Sequence, residues 1–147
     1  MRVVTKSARE TVKLGLKLAK KVRGGQILAL RGGLGTGKTY FTKGFARGLG
    51  IKKIVTSPSF LFLRVHPVKR KGIRYFCHVD AYRLKKQKEM VEIGLKEYLG
   101  RRDSVVVVEW ADKIKKLLAA YPTLDLTFSF IDKNTRTISI TKNRYRK

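Results

Sequence analysis

Residues 32–39 read Gly-Gly-Leu-Gly-Thr-Gly-Lys-Thr and fit the spacing G-x-x-x-x-G-K-[ST], with Gly32, Gly37, Lys38 and Thr39 at the fixed positions. A triphosphate tail has to be wrapped by several backbone N–H groups at once, and glycines let the chain turn tightly without a Cβ in the way. The contacts are expected from Gly32, Gly33, Leu34, Gly35, Thr36, Gly37, Lys38, Thr39 and Tyr40. Lys38 is spaced to reach the β- and γ-phosphates, and the Thr39 hydroxyl to hold Mg²⁺. The flanks agree. Gln26–Arg31 is a short apolar run that reads as a buried strand. In Tyr40–Leu49, Phe41, Phe45 and Leu49 recur at helical spacing. Strand, glycine loop and helix aim a helix N-terminus at an anion.

The rest of the chain supplies the pieces of an α/β sheet. Ser7 and Glu10 have the spacing of a capping box, which starts a helix, and Ala8, Val12, Leu16, Ala19 and Val22 mark its apolar stripe as far as Gly24-Gly25. Arg2–Thr5 reads as a short strand before it. Leu61–His66 and Ile73–His78 are strand-like runs, with Pro67–Gly72 as a basic hairpin loop between them. Lys85–Leu99 is helical in pieces. Val105–Val108 is an unbroken β-branched run, the mark of a strand covered on both faces. Asp112–Ala120 reads as helix. Thr123–Ile131 alternates, with Leu124, Leu126, Phe128 and Phe130 on one side. It turns at Asp132–Thr135 and returns through Ile138 and Ile140, a second hairpin. The expected architecture is a phosphate-loop NTPase-like sheet with parallel core strands, flanking helices and antiparallel hairpins. It forms a single domain over residues 1–147, with 143–147 as a frayed basic tail.

Cys77 is the only cysteine, so an internal disulfide framework and a multi-cysteine zinc site are both excluded. It reads as a buried strand residue. No apolar run approaches the ~20 residues of a membrane helix, and the first residues lack the apolar stretch of a signal peptide. A cytoplasmic setting is expected. The charge is extreme: 35 Lys and Arg against 10 Asp and Glu, a formal +25. Residues 1–79 contain nineteen basic residues and one acid, Glu10. Such a surface attracts polyanions in a salt-dependent way. Two readings of it stand side by side: contact with RNA, or a solvated surface reflecting compositional bias.

With so few acids, their positions carry information. Asp80 follows the run Tyr75–Val79 and Glu109 follows Val105–Val108. An acid at the carboxyl end of a buried strand beside a phosphate loop suits a metal-holding or water-orienting role. Which of the two touches the metal is left open. His78 shares a strand face with Asp80, as a water-orienting group or a packed histidine. Arg83 follows closely, to contact phosphate, a partner or solvent. Trp110 adjoins Glu109. Thr56, Ser57 and Ser59 form a turn-rich segment whose hydroxyls suit a switch or a plain turn.

Several segments together resemble the TsaE (YjeE) family, small ATPases of bacterial tRNA threonylcarbamoyladenosine biosynthesis. They are Glu10-Thr11 with Leu14-Gly15, the loop at 32–39, Thr56-Ser-Pro-Ser-Phe60, His78-Val-Asp-Ala-Tyr-Arg-Leu84, Ile93-Gly-Leu-Lys-Glu-Tyr-Leu99 and Val108-Glu-Trp-Ala-Asp112. They occur in the family's order and cover nearly the whole chain. Gly33 stands where the family usually has Asp, and Ser59 where Thr is commoner. The resemblance implies ATP and Mg²⁺ as cofactors, ATP hydrolysis that is feeble alone, and docking onto the TsaB–TsaD pair, with tRNA met through that complex or directly. It implies Lys38, Asp80 and Glu109 as the catalytic set. Thr39 and Glu109 would ligate Mg²⁺, and Asp80 would position metal-bound or attacking water. The nucleotide base would lie near Thr5–Ala8, touching Ser7 and Ala8, with Arg136 close by. His78, Tyr82, Arg83 and Trp110 belong to signatures assigned to switching or partner contact. Two rival classes remain: a small-molecule kinase, and a non-catalytic basic RNA-binding module.

Overall fold

The computed structural model describes residues 1–53, 63–85 and 94–144. Among the described residues, seven strands form one sheet: β1 (Arg2–Thr5), β2 (Ile27–Arg31), β3 (Leu63–Arg70), β4 (Ile73–Asp80), β5 (Ser104–Glu109), β6 (Thr123–Phe130) and β7 (Arg136–Asn143). Their spatial order is β1-β7-β6-β2-β5-β4-β3. The four central strands β6, β2, β5 and β4 run parallel. An antiparallel hairpin closes each side, β3 with β4 and β6 with β7, and β1 adds antiparallel to β7. The expected α/β architecture is the observed one.

Two helices, α1 (Ala8–Lys21) and α2 (Lys38–Gly48), pack on one face through Phe41, Phe45, Leu28, Leu30, Val105 and Val107. A second cluster on the other face gathers Ile27, Ala29, Val106 and Val108 with Leu95, Leu99, Ile114 and Leu118. The β5 valines therefore alternate between two cores, and all four are fully buried. Ser7 caps α1 as its spacing requires: Glu10 N donates to Ser7 Oγ at 3.1 Å, while the Glu10 carboxylate accepts from Lys6 N at 2.6 Å. Cys77 is fully buried, and burial pushes its thiol well above the usual range.

Several expectations need correction. The buried line of α1 is Thr11, Gly15, Ala19 and Val22, and Val12 and Leu16 flank it half-buried. The cause is close helix contact. A Cβ on Gly44 would lie 1.9 Å from Val12 O, and one on Gly15 would lie 2.2 Å from Phe41 O, so only small residues fit the seam. The first hairpin loop is shorter than Pro67–Gly72, because β3 continues to Arg70 and only Lys71-Gly72 turns. Pro67 is tolerated there because β3 is an edge strand, where a missing N–H breaks no ladder bond. Arg70, at its end, donates to Ala19 O, Lys20 O and Val22 O and caps the C-terminus of α1. The segment after β5 is not one helix over Asp112–Ala120. It is a 3-10 turn, Ala111–Ile114, followed by one turn of α3, Lys115–Leu118. Trp110 in the left-handed region (φ 59°) makes the chain swerve there. Phe130 departs from the buried side of β6 and is half exposed. Asn143 is the last residue of β7 rather than a frayed end. Of the segment expected to be helical in pieces, residues 86–93 lie outside the described residues; Leu95–Glu97 is a 3-10 turn. Residues 145–147 lie outside them as well.

Candidate nucleotide and metal site

The loop joining β2 to α2 lies at the carboxyl end of the parallel strands, between neighbours β5 and β6, where open α/β sheets form their ligand crevice. Two glycines there are demanded by geometry. Gly32 has φ 138°, and a Cβ on it would lie 2.5 Å from Phe128 O. Gly37, the residue before α2, has φ 105°, and a Cβ on it would meet Arg136 Cδ at 3.2 Å. Gly33 differs: its Cβ position has only Thr36 Cγ2 nearby, at 4.0 Å, so an aspartate would fit there without a clash.

Lys38, in the first turn of α2, is 4% exposed. Its Nζ donates to Gly32 O and Gly33 O, both at 2.7 Å, and lies 4.1 Å from the centre of the Trp110 ring. Burial lowers its pKa from the ordinary lysine value, while Glu109, Asp112 and Asp80 raise it in turn. Thr36 Oγ1 also donates to Gly33 O, at 2.7 Å. The loop is thus braced internally around a desolvated cation.

Glu109 ends β5, pairs in register with Asp80 at the end of β4, and is 2% exposed. Both its carboxylate oxygens are held. Thr39 Oγ1 donates to Oε1 at 2.8 Å, and His78 Nε2 lies 2.5 Å from Oε2. Asp80 is half-buried and accepts from Tyr82 N at 3.0 Å. The ends of β4 and β5 and the first turn of α2 therefore bring His78, Asp80, Glu109 and Thr39 together beside Lys38. The donors Thr39 Oγ1 and Glu109 Oε1 are adjacent hard oxygens, the chemistry that Mg²⁺ selects.

The remaining residues are placed as follows. Gly35 O accepts from Arg136 Nη2 at 3.2 Å, so the arginine of the last hairpin reaches the loop. Its guanidinium lies over the Phe130 ring at 5.3 Å. Leu34 and Tyr40 project to solvent. Ser7 Oγ serves the helix cap, and Ala8 opens α1 beside it. Tyr82 is exposed, with its ring 4.9 Å from that of Trp110, and Arg83 is exposed. Thr56, Ser57 and Ser59 lie outside the described residues. Three residues escaped the reading of the chain. Asp112 acts on the Lys38 charge from the turn after β5. Thr11 shares a 2.8 Å hydroxyl contact with Thr5 and sits 3.4 Å from the Cβ position of Gly37. Phe130 lies over the loop, 3.8 Å from the Cβ position of Gly35. Asp112 and Thr11 each stand inside a quoted motif; for Phe130 the alternation pattern pointed to the core instead.

A family model described as "Threonylcarbamoyl adenosine biosynthesis protein TsaE" matches residues 5–138. A tRNA threonylcarbamoyladenosine biosynthesis protein TsaE from Streptomyces coelicolor is 46% identical over 106 residues, which is 71% of this chain and 70% of that one. The protein of the same description from Treponema pallidum is 33% identical over 140 residues, 95% of this chain and 99% of that one. Among solved structures, the crystal structure of YdiB from Bacillus subtilis superposes with a TM-score of 0.77 at 32% identity, covering 97% of this chain and 84% of that one.

Proposed function

Because this chain belongs to the TsaE family, the threonylcarbamoyl adenosine biosynthesis proteins, we propose that it serves threonylcarbamoyladenosine modification of tRNA as a Mg²⁺-dependent, ATP-binding and ATP-hydrolysing accessory protein. In this reading it is weakly active alone and works with the TsaB–TsaD pair in the cytoplasm, where it meets tRNA through that complex or directly.

The observation that carries the reading is the convergence on one crevice of the Lys38 ammonium and the Thr39–Glu109 pair. The work assigned to the chain is positioning and charge neutralisation rather than covalent chemistry. Backbone N–H groups of residues 33–39 bind the phosphates, and Lys38 exchanges loop carbonyls for phosphate oxygens. Arg136 and the residues around Ser7 and Ala8 border the rest of the nucleotide. Thr39 Oγ1 and Glu109 would hold Mg²⁺, which would supply charge neutralisation to the bound phosphates. Asp80 orients the attacking water from the neighbouring strand end. His78 holds Glu109 in place, and Trp110 and Tyr82 wall the crevice beside Lys38.

The test is ATP turnover with and without the TsaB–TsaD pair. Stimulated hydrolysis is expected in the wild type, with a loss of about 10²-fold or more in Lys38→Ala. Unchanged stimulated turnover in that variant would sink the mechanism. Phosphate transfer to a metabolite instead of water would replace it with a kinase.

A further inference from the structure

Charge is divided between the two ends of the sheet. Asp80, Glu109 and Asp112 all act on Lys38 at the loop end. At the other end four chain segments meet. The C-terminus of α1 runs into the turn at Gly24 and Gly25, where a Cβ on Gly24 would lie 1.9 Å from Arg102 O and 2.5 Å from Gly72 O. Gly25 N donates to Ser104 O at 2.7 Å. On the other side of the turn, Gln26 lines a shallow groove with Thr123, Lys142 and Arg144. Residues 20–25, 69–74, 100–104 and 141–144 therefore make one continuous surface.

These segments contain eleven Lys or Arg and one carboxylate, Asp103. Asp103 pairs with Arg101 at 2.6 Å, and Arg70 is engaged with the carbonyls of α1. Lys20, Arg23, Lys71, Arg74, Arg102 and Lys142 are exposed, and no salt bridge among the described residues includes them. Lys20 complements the helix C-terminus. Arg23, one residue past the cap of α1, does the same, whereas Lys71, Arg74, Arg102 and Lys142 stand on turns and strand ends with no helix terminus to complement, so local structure leaves their convergence unexplained.

We propose that this end of the molecule docks the phosphate backbone of a folded RNA, at a site separate from the nucleotide loop. The identification of that RNA as tRNA rests on the function proposed above. Cations spread over several turns match phosphates repeated along a backbone. A membrane surface fits less well, because it asks for apolar side chains that enter the bilayer. Of the exposed large apolar residues among the described ones, Leu34, Tyr40, Tyr82, Phe130 and Ile131 lie towards the loop end, Val4 pairs with Thr137 near the start of β7, and Met1 is the one nearer the basic end. The eight residues of β4 span the two ends, a distance of about 23 Å at about 3.3 Å per residue. RNA and nucleotide are bound together without competing.

The experiment measures binding of transcribed tRNA by fluorescence anisotropy across a KCl series, without partner proteins. The wild type is expected to bind saturably with a steep salt dependence. Lys20→Gln, Arg23→Gln, Lys71→Gln and Arg102→Gln combined should weaken binding at least about tenfold and lower the log–log salt slope by about 3. Arg9→Gln, Lys13→Gln, Lys113→Gln and Lys133→Gln combined remove the same charge towards the loop end and should leave the affinity within about threefold. Equal losses in both variants, or no saturable wild-type binding, would overturn the site. Stronger competition by phosphatidylserine vesicles than by unlabelled tRNA would overturn the RNA assignment. Mg²⁺–ATP titration of the first variant should match the wild type. Absence of nucleotide binding in both would refute the proposed ATPase while leaving the RNA result standing.

Discussion

His78 Nε2 lies 2.5 Å from Glu109 Oε2, and the two side chains are 0% and 2% exposed. With Thr39 Oγ1 on the other oxygen, the carboxylate has no freedom to rotate. A strand histidine that reads equally well as packing is thereby tied to the residue assigned to the metal.

Loss of this contact should be felt in two measurements. His78→Ala leaves a buried carboxylate short of a partner, so urea unfolding should show a loss of about 3 kcal/mol. Mg²⁺ affinity in the nucleotide complex, read by calorimetry, should fall about 10-fold or more. His78→Gln keeps an N–H donor and should recover part of both. Unaltered Mg²⁺ affinity in His78→Ala would leave the histidine with a packing role only.

Lys38 makes the native state pH-sensitive on the alkaline side. Burial holds its pKa below 10.5 in the folded protein, with Glu109, Asp112 and Asp80 opposing. The unfolded chain keeps this proton up to about pH 10.4. Between the lowered native value and that limit the unfolded state binds more protons, so this contribution to stability rises with pH. At neutral pH the cost of burying the cation is present in full. Lys38→Met should therefore be at least as stable as wild type near neutrality. Its advantage should shrink as pH climbs towards the ordinary lysine value. A wild-type-minus-variant stability difference that stays flat through that window would contradict the burial argument.

Trp110 is the sole tryptophan and lies against the Lys38 ammonium. If a polyphosphate draws Lys38 from its carbonyls, the cation leaves the ring face and the indole environment changes. Intrinsic emission should shift on adding Mg²⁺ nucleotide to the wild type and stay constant in Lys38→Met. An identical shift in both proteins would mean that Trp110 reports something other than the lysine.

The seam between α1 and α2 should resist enlargement. Gly44→Ala gains about 1 kcal/mol of helix propensity. Its Cβ would nevertheless lie 1.9 Å from Val12 O, backbone that cannot yield alone. The net effect expected in thermal or urea unfolding is a loss of about 1–3 kcal/mol. A stabilised variant would show that the helices can separate freely.

Legibility followed the range of the signal. The strand, glycine loop and helix around residues 32–39, the capping box at Ser7 and Glu10, and the doubly buried Val105–Val108 each rest on spacing within a few residues, and each formed as read. Asp80 and Glu109 were marked by their position after apolar runs, yet nothing local said that they pair in register. The α1 stripe was read correctly at Ala19 and Val22 but one residue off at Val12 and Leu16, because Gly15 is buried by close helix approach across the seam, not by its own hydrophobicity. Pro67 looked like a loop residue because its position at the sheet edge is a fact of strand order.

The chain on its own determined the glycine loop between β2 and α2, the alternation of strand and helix, and the family, because backbone geometry and side-chain periodicity act over short stretches. The fold alone decided which acid bonds Thr39, that His78 serves Glu109, and that four distant basic turns share one surface. Those outcomes depend on strand register and helix approach, which bring together residues far apart in the chain, Thr39 and Glu109 across 70 positions and Gly35 and Arg136 across 101.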